Sequence, residues 1–448
     1  MKKCLMMLII FCLIFAPMPV MAEIKPDIET TSASIILINP DTGTVVYKKD
    51  ADKKVNPSAT TMIMTYIMAS ENISNADVTK ITARKESIDQ VNQIAPTTST
   101  TPDADHLGII EGEELTAQSL INAMTIGTAG DAAYVLADFI GKGNIQTFMD
   151  SMNQRAESLG CKNTHFTNPA GFYDENNTTT AEDMAIITKF AMTLPHFNDI
   201  TNTTSVTIPA TNKSEERTIT TTNSLINEGS EYYNTLCRGI MIGSSTKAGC
   251  SAISTAVKDN DRYLCIALGA PAIVAQDNNS VDTSKALVDT NGLYQWTFNK
   301  LKLKTILTTN KTIAEIKVSE GSKKDNLALV SAANFNMTLP IEIPESEITI
   351  TPHLPEKLKA PIEKGQIIGT ATLSYAGEDL TEINLVASES VGRSAWVRFF
   401  EVIKIAILVI LVLLLIVFIY VQIHNYRIRK KKRLRHEKAR KQQRRNRS

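Results

Sequence analysis

A serine placed three residues before a lysine can transfer an acyl group. The hydroxyl attacks a carbonyl and the amine takes its proton, because residues three apart share one side of a helical turn. The chain has this spacing once, at Ser244-Ser245-Thr246-Lys247. That segment comes after the apolar stretch Arg238–Met241 and reads as a hairpin tip, where Ser and Lys are ordinary solvated turn residues. A second hydroxyl group stands at Ser58, Thr60 and Thr61. Three residues after Ser58 comes Thr61, which is no base, and neither threonine has a base nearby in the sequence. His106, His165, His196 and His353 are isolated from Ser and Asp at motif spacing, and His424 and His436 lie near the C-terminus, so no Ser-His-Asp arrangement is legible. The cysteines outside the N-terminal segment are Cys161, Cys237, Cys250 and Cys265; they form no CxxC pair and no Cys/His cluster, so neither a zinc site nor any other metal or cofactor is expected. Cys250 and Cys265 could pair across strands in an exported protein.

The elements that would position these groups can be read from periodicity. Residues 33–48 read as strand, turn, strand, with Pro40-Asp41-Thr42-Gly43 as the turn. Residues 60–70 are almost wholly apolar and suit a buried helix, whose Met62, Met64 and Met68 read as core. Leu115–Ile126, Ala132–Ile140, Gln146–Leu159 (ending at Gly160) and Ala181–Met192 are further helices. Arg238–Met241, Ala252–Val257 and Tyr263–Ala267 are strands of one sheet. A hairpin first, helices in the middle and strands last indicate an α+β fold with an antiparallel sheet flanked by helices. Residues 305–390 alternate in Thr, Ile, Val and Glu and predict a small all-β domain, with 391–404 as a connector on its C-terminal side. The run Thr97–Thr101 reads as an exposed loop.

The 448 residues carry 47 basic and 47 acidic side chains, and this neutrality hides an asymmetry. Residues 1–22 begin Met1-Lys2-Lys3, continue with an apolar run and read as a signal peptide cut after Ala22. Residues 424–448 hold 13 basic residues and 1 acidic one, leaving 32 basic and 46 acidic in 23–423. Between body and tail, 405–423 is apolar and of the right length for a transmembrane helix, with Trp396, Tyr420 and Tyr426 on its flanks. The basic tail is then cytoplasmic and the acidic body extracytoplasmic, on a single-pass membrane protein. The tail's charge is read as topogenic, so the membrane is a partner and nucleic acid is not.

Ordered along the body are Asn56-Pro57-Ser58-Ala59-Thr60-Thr61-Met62, Glu111-Gly112-Glu113-Glu114-Leu115-Thr116, Gly130-Asp131-Ala132-Ala133, Asn163-Thr164-His165-Phe166-Thr167-Asn168-Pro169-Ala170-Gly171, Thr180-Ala181-Glu182-Asp183-Met184-Ala185 and Thr222-Asn223-Ser224-Leu225. In this order they resemble the D-alanyl-D-alanine carboxypeptidase family, the low-molecular-mass penicillin-binding proteins grouped as S11 serine peptidases. Ala360-Pro361-Ile362-Glu363-Lys364-Gly365-Gln366-Ile367-Ile368-Gly369 resembles that family's C-terminal domain. The resemblance implies a penicillin-binding-protein and β-lactamase-like domain over 23–304, a β domain over 305–390, a connector over 391–404, an anchor over 405–423 and a tail over 424–448. It also implies a nucleophilic serine, a lysine three residues on, a Ser-x-Asn motif and a Lys-Thr-Gly strand, acting on the terminal D-Ala of a peptidoglycan stem peptide.

At the matching positions stand other residues. The nucleophile position is Ala59 and its lysine Met62; the Ser-x-Asn stretch is Thr128-Ala129-Gly130; the Lys-Thr-Gly stretch is Met241-Ile242-Gly243. Alanine forms no acyl ester and methionine takes no proton. Backbone N–H groups of Ala59 and Ser244 could still form an oxyanion hole, but with no nucleophile to serve. Replacing both lysines by methionine removes two buried charges together, which predicts an apolar former active site. Lys247-Ala248-Gly249 could imitate the third motif only in part, and His165 within the family segment reads as a hydrogen-bonded structural histidine. Three functions stay open: an inactive family member that binds a stem peptide or an active cell-wall enzyme; an enzyme with residual or altered activity; and an interaction platform working through the β domain and tail.

Overall fold

The computed structural model describes residues 26, 28–94, 106–274, 281–282, 284–309, 311–322, 326–375 and 377–445. Residues 1–22, expected to be a signal peptide, and the run Thr97–Thr101 lie outside these. The chain divides into two compact units. One reaches to Ile306 and includes Phe335–Thr349 and Ser374–Thr381; the other holds Leu307–Asn334, Ile350–Leu373 and the chain from Glu382.

The first unit is built on a five-stranded antiparallel sheet. Its strands are β1 (Ser34–Ile38), β2 (Val45–Lys49), β7 (Cys237–Ser245), β8 (Gly249–Lys258) and β9 (Asp261–Ala270), in the order β2-β1-β9-β8-β7. β1 is buried at all five positions because both faces of the sheet are covered. Ile36 and Ile38 enter the larger core with the helices α1 (Met62–Asn72), α2 (Lys85–Ile94), α3 (Ala117–Ile126), α4 (Gly130–Ile140), α5 (Ile145–Ser158), α6 (Ala181–Ala191) and α7 (Phe197–Thr201). Ile35 and Leu37 enter a second core under α8 (Ser284–Lys300). Two short pairs complete the helical side: β3 (Lys80–Thr82) with β4 (Glu114–Thr116), and β5 (Ser205–Ile208) with β6 (Arg217–Thr220). β10 (Ile273–Val274) pairs with β11 (Val281–Asp282), and β12 (Leu301–Leu307) with β15 (Phe335–Pro340).

The predicted hairpin and helices are present with shifted limits. The helix expected from Leu115 begins at Ala117, because 114–116 is a strand and Thr116 caps the helix, its Oγ1 accepting from Ser119 N at 3.1 Å. α2 and α8 are not anticipated by the sequence reading. α8 carries Asn291-Gly292, a pair that locally favours a turn. Burial of Leu287, Leu293 and Tyr294 in the second core overrides that preference, and Tyr294 donates to Ser254 O at 2.5 Å. Cys250 and Cys265 are not joined by a disulfide: both are buried, Cys250 lies opposite Ala270 and Cys265 opposite Ser254. Five residues along β9 separate Ala270 from Cys265, roughly 17 Å of strand, far beyond disulfide reach.

The second unit contains a six-stranded sheet in the order β16-β18-β19-β14-β13-β17, formed by β13 (Thr312–Ser319), β14 (Asn326–Ser331), β16 (Thr349–His353), β17 (Leu358–Lys359), β18 (Ile367–Tyr375) and β19 (Glu378–Ala387). Ile316, Val318, Leu327, Leu329, Ala371 and Leu385 form its core. The last element is the helix α9 (Ala395–Arg445); its portion Ala395–Leu434 contains an 18-residue stretch apolar and long enough to cross a membrane, none of it buried. It is a candidate membrane anchor.

Candidate functional site

The site grows from one strained turn. Pro57 leads into a 3₁₀ turn, Ser58–Thr61, that feeds directly into α1. Asn56 holds the turn at both ends: its Oδ1 accepts from Ser58 N at 2.9 Å, and its Nδ2 donates to Asp174 O at 2.8 Å. Ser58 has a φ of +51°, a left-handed conformation that a non-glycine residue adopts at a cost. Its hydroxyl points to the sheet and donates to Ser244 O at 3.1 Å. Thr60 Oγ1 donates back to Pro57 O at 2.5 Å, and Thr61 Oγ1 is buried without a partner.

Strand β7 packs closely against this turn, and a side chain at one position would be tight. A Cβ on Gly243 would lie 3.0 Å from Ala59 N and 3.2 Å from Ser58 Cβ. The backbones of Ala59 and Ser244 are therefore neighbours. From another direction Gly171, with φ +76°, approaches so near that its Cβ would fall 1.9 Å from Ser58 O. Turn, strand and the 163–171 segment thus converge on Ser58 and Ala59.

What they enclose is apolar. Met62 is 1% exposed and Met241 2%, and both belong to the core shared with the helices, against which Ala59 packs half-buried. Ile242 is turned the other way, into the core under α8, because successive strand residues face opposite sides. Thr128, with φ +51°, and Ala129 lead into α4, whose first residue is Gly130. Phe172 lies against Gly130: a Cβ there would come within 2.3 Å of Phe172 Cζ. The Phe172 ring stacks on Tyr134, with centroids 6.1 Å apart, and stands 6.2 Å from the His106 ring. Both ring nitrogens of His106 are buried without a hydrogen-bond partner.

The ionisable groups nearby are occupied by structure. The Asp131 carboxylate, fully buried, accepts from the backbone N–H groups of Leu107, Gly108, Ile109 and Ala132 at 2.9–3.0 Å and fixes that segment on α4. Glu113 is paired with Arg217 and accepts from Thr211 Oγ1 at 2.9 Å. Burial pushes the Cys161 and Cys265 thiols up to about 12 and Cys237 to about 11, so none is a thiolate near neutral pH. Among the described residues no three His, Cys, Asp or Glu side chains are grouped to hold a metal ion.

Two expectations need correction. The Ser244–Lys247 segment is not simply a solvated turn: Ser245 is 3% exposed and its Oγ accepts from Lys247 N and Ala248 N. Lys247 itself is exposed, with Nζ 5.2 Å from the Tyr173 ring centroid. His165 is exposed rather than packed, and it is its backbone that bonds, to Thr178 at 2.8 and 2.9 Å. The residues that sequence reasoning missed are Phe172 and Tyr134. No local pattern marks them, since each matters through a segment distant in the chain.

Comparison with known proteins gives a consistent result. Residues 20–272 match the family model for D-alanyl-D-alanine carboxypeptidase, and residues 301–393 that for the penicillin-binding protein 5 C-terminal domain. The chain is similar to the D-alanyl-D-alanine carboxypeptidase DacF of Bacillus subtilis, 26% identical over 409 residues, covering 90% of this chain and 97% of the relative. It is 29% identical over 273 residues to the D-alanyl-D-alanine carboxypeptidase of Streptomyces sp. strain K15, covering 58% of this chain and 88% of that one. Among solved structures, penicillin-binding protein 5 of Haemophilus influenzae superposes with a TM-score of 0.67 at 23% identity, over 83% of this chain and all of that one. The carboxypeptidase DacD of Francisella tularensis gives 0.64 at 20% identity, over 83% and 96%. These likenesses in three dimensions establish a shared fold.

Proposed function

Since the chain belongs to the D-alanyl-D-alanine carboxypeptidase family, we propose that it is an exported, membrane-anchored member that has lost acyl transfer and works by binding. Its ligand would be a fragment of the peptidoglycan or an active enzyme of the wall. The observation that carries this reading is that Met62 and Met241, 1% and 2% exposed, both lie in the main hydrophobic core, against which Ala59 packs. Neither carries a titratable proton, and Ala59 carries no nucleophile. The neighbouring hydroxyl of Ser58 donates to Ser244 O, and among the described residues no amine or imidazole is seen bonded to it.

Residual hydrolysis would require all of a nucleophile, a base and a carboxylate grip, which act as one unit. The ammonium of Lys247, in the turn after β7, faces Tyr173. The same proposal takes Ala59, Met62, Thr128, Gly130, Met241, Ile242 and Gly243 as the vestigial motif positions, with 23–304 and 305–390 as the two exported domains. It places α9 across the membrane with the basic end in the cytoplasm, in keeping with 13 basic residues in 424–448.

The test is a fluorescent β-lactam applied to the purified full chain, with a catalytically intact relative as positive control. Covalent labelling is expected on the control alone. A labelled serine or threonine anywhere in this chain would end the inactive reading.

A further inference from the structure

A cavity of about 570 Å³ opens between α2, α4, the start of α5 and the 167–174 loop. Its volume lies in the range of small-ligand sites. Two of its lining residues, Tyr134 and Asp138, are largely buried and carry polar side chains. Tyr134 is 2% exposed and its ring stacks on Phe172. Burial pushes its pKa upward, so the phenol stays a neutral donor and acceptor. Asp138 is 4% exposed, and its carboxylate stands 3.6 Å from Arg84 Nη1, too far for a hydrogen bond.

The charges around the cavity select the ligand. Glu86, Asp138 and Asp174 line it, which disfavours an anion. Arg84 bonds Glu86 at 3.1 Å and stands beside Asp138, so its guanidinium repels an incoming ammonium. What fits is a neutral molecule rich in hydroxyls: carboxylates accept from hydroxyl groups strongly, and Tyr134 can serve either role. The opposite requirement, an apolar surface, is met by Met149 and by the ring of Tyr173, 42% exposed at the rim. A sugar ring presents both, hydroxyls at its edge and C–H groups on its faces.

We propose that this cavity binds an N-acetylated hexosamine unit of the wall's glycan strand, with Tyr134 and Asp138 as its hydrogen-bonding floor. The assignment of a glycan rests on the wall-binding function proposed above. The inactive-site reading is tested separately by β-lactam labelling, so either can fail alone.

The experiment titrates the full chain in detergent with two probes: the peptide-free disaccharide of the glycan strand, and the free pentapeptide. Saturation-transfer NMR reports binding. The disaccharide is expected to bind, and Tyr134→Phe and Asp138→Asn to weaken it roughly tenfold each, the equivalent of one lost charge-assisted or buried hydrogen bond. Tyr134→Phe keeps the ring on Phe172, so an unchanged melting temperature shows that the fold is intact and keeps the test decisive if Asp138→Asn does not fold. No saturable disaccharide binding, binding indifferent to Tyr134→Phe, or binding of the pentapeptide alone would each overturn the proposal.

Discussion

The ring of Phe172 occupies the space that any side chain at residue 130 would need: a Cβ built on Gly130 falls 2.3 Å from Phe172 Cζ. Gly130 opens α4 on the helical side of the sheet, and Phe172 sits directly after the turn at Gly171 that presses on Ser58. Glycine is a poor choice near a helix start unless a neighbour demands it. Here an aromatic ring does, and the two residues are coupled through one volume.

Gly130→Asn should therefore destabilise the protein by about 1–3 kcal/mol, the usual cost of overpacking. Phe172→Leu removes part of the ring and should cost about 1–2 kcal/mol by itself, through lost packing on Tyr134. In the double variant the two costs should not add, because the smaller side chain makes room for the larger. Urea denaturation of the four proteins in a double-mutant cycle measures this coupling. Strict additivity would show that Phe172 does not compete with residue 130.

Restoring a serine at the turn should not restore acylation. Ala59→Ser supplies a hydroxyl, but Met62 and Met241 leave it without a proton acceptor. Met62→Lys would supply one at the price of a charge in an apolar cluster, and should destabilise by about 3 kcal/mol or more at neutral pH. Fluorescent β-lactam labelling of Ala59→Ser, expected to be negative, and urea denaturation of Met62→Lys, expected to shift strongly, check both halves.

Three thiols set an alkaline limit. Burial raises Cys161 and Cys265 to about 12 and Cys237 to about 11, against 9.0 ordinarily. Between pH 9 and 11 the folded chain retains protons that the unfolded chain has lost, so unfolding releases protons and stability falls as pH rises. Below pH 9 the contribution is fully present. Each thiol should add a slope of up to about 1.4 kcal/mol per pH unit. Denaturation at pH 8, 9 and 10 should show this decline, and Cys265→Ala should flatten it. Iodoacetamide at pH 8 should leave all three unmodified in the native protein.

α9 should be sufficient to hold the protein in the membrane. The full chain is expected in the membrane fraction after an alkaline wash, and a variant ending before Ala395 in the soluble fraction. Retention of the shortened variant on membranes would assign anchoring to the folded body instead.

Residue identity alone carries the proposal that the acyl-transfer chemistry is missing. A hydroxyl or an amine is either present in a side chain or not, and Ala59, Met62 and Met241 read the same in a string as in a fold. Local periodicity likewise gave the hairpin Ser34–Lys49, the buried helix after Thr61 and the paired strands Cys237–Ala270, since each is decided by neighbours a few residues away. The tertiary structure decided the rest. It turned Ile242 away from Met241, placed Phe172 on Gly130, left the Tyr134 hydroxyl facing a cavity, and made a helix of Ser284–Lys300 despite its Asn-Gly pair. Those outcomes depend on which distant segments share a volume, and burial against such a segment outweighs the fraction of a kcal/mol by which local preference speaks.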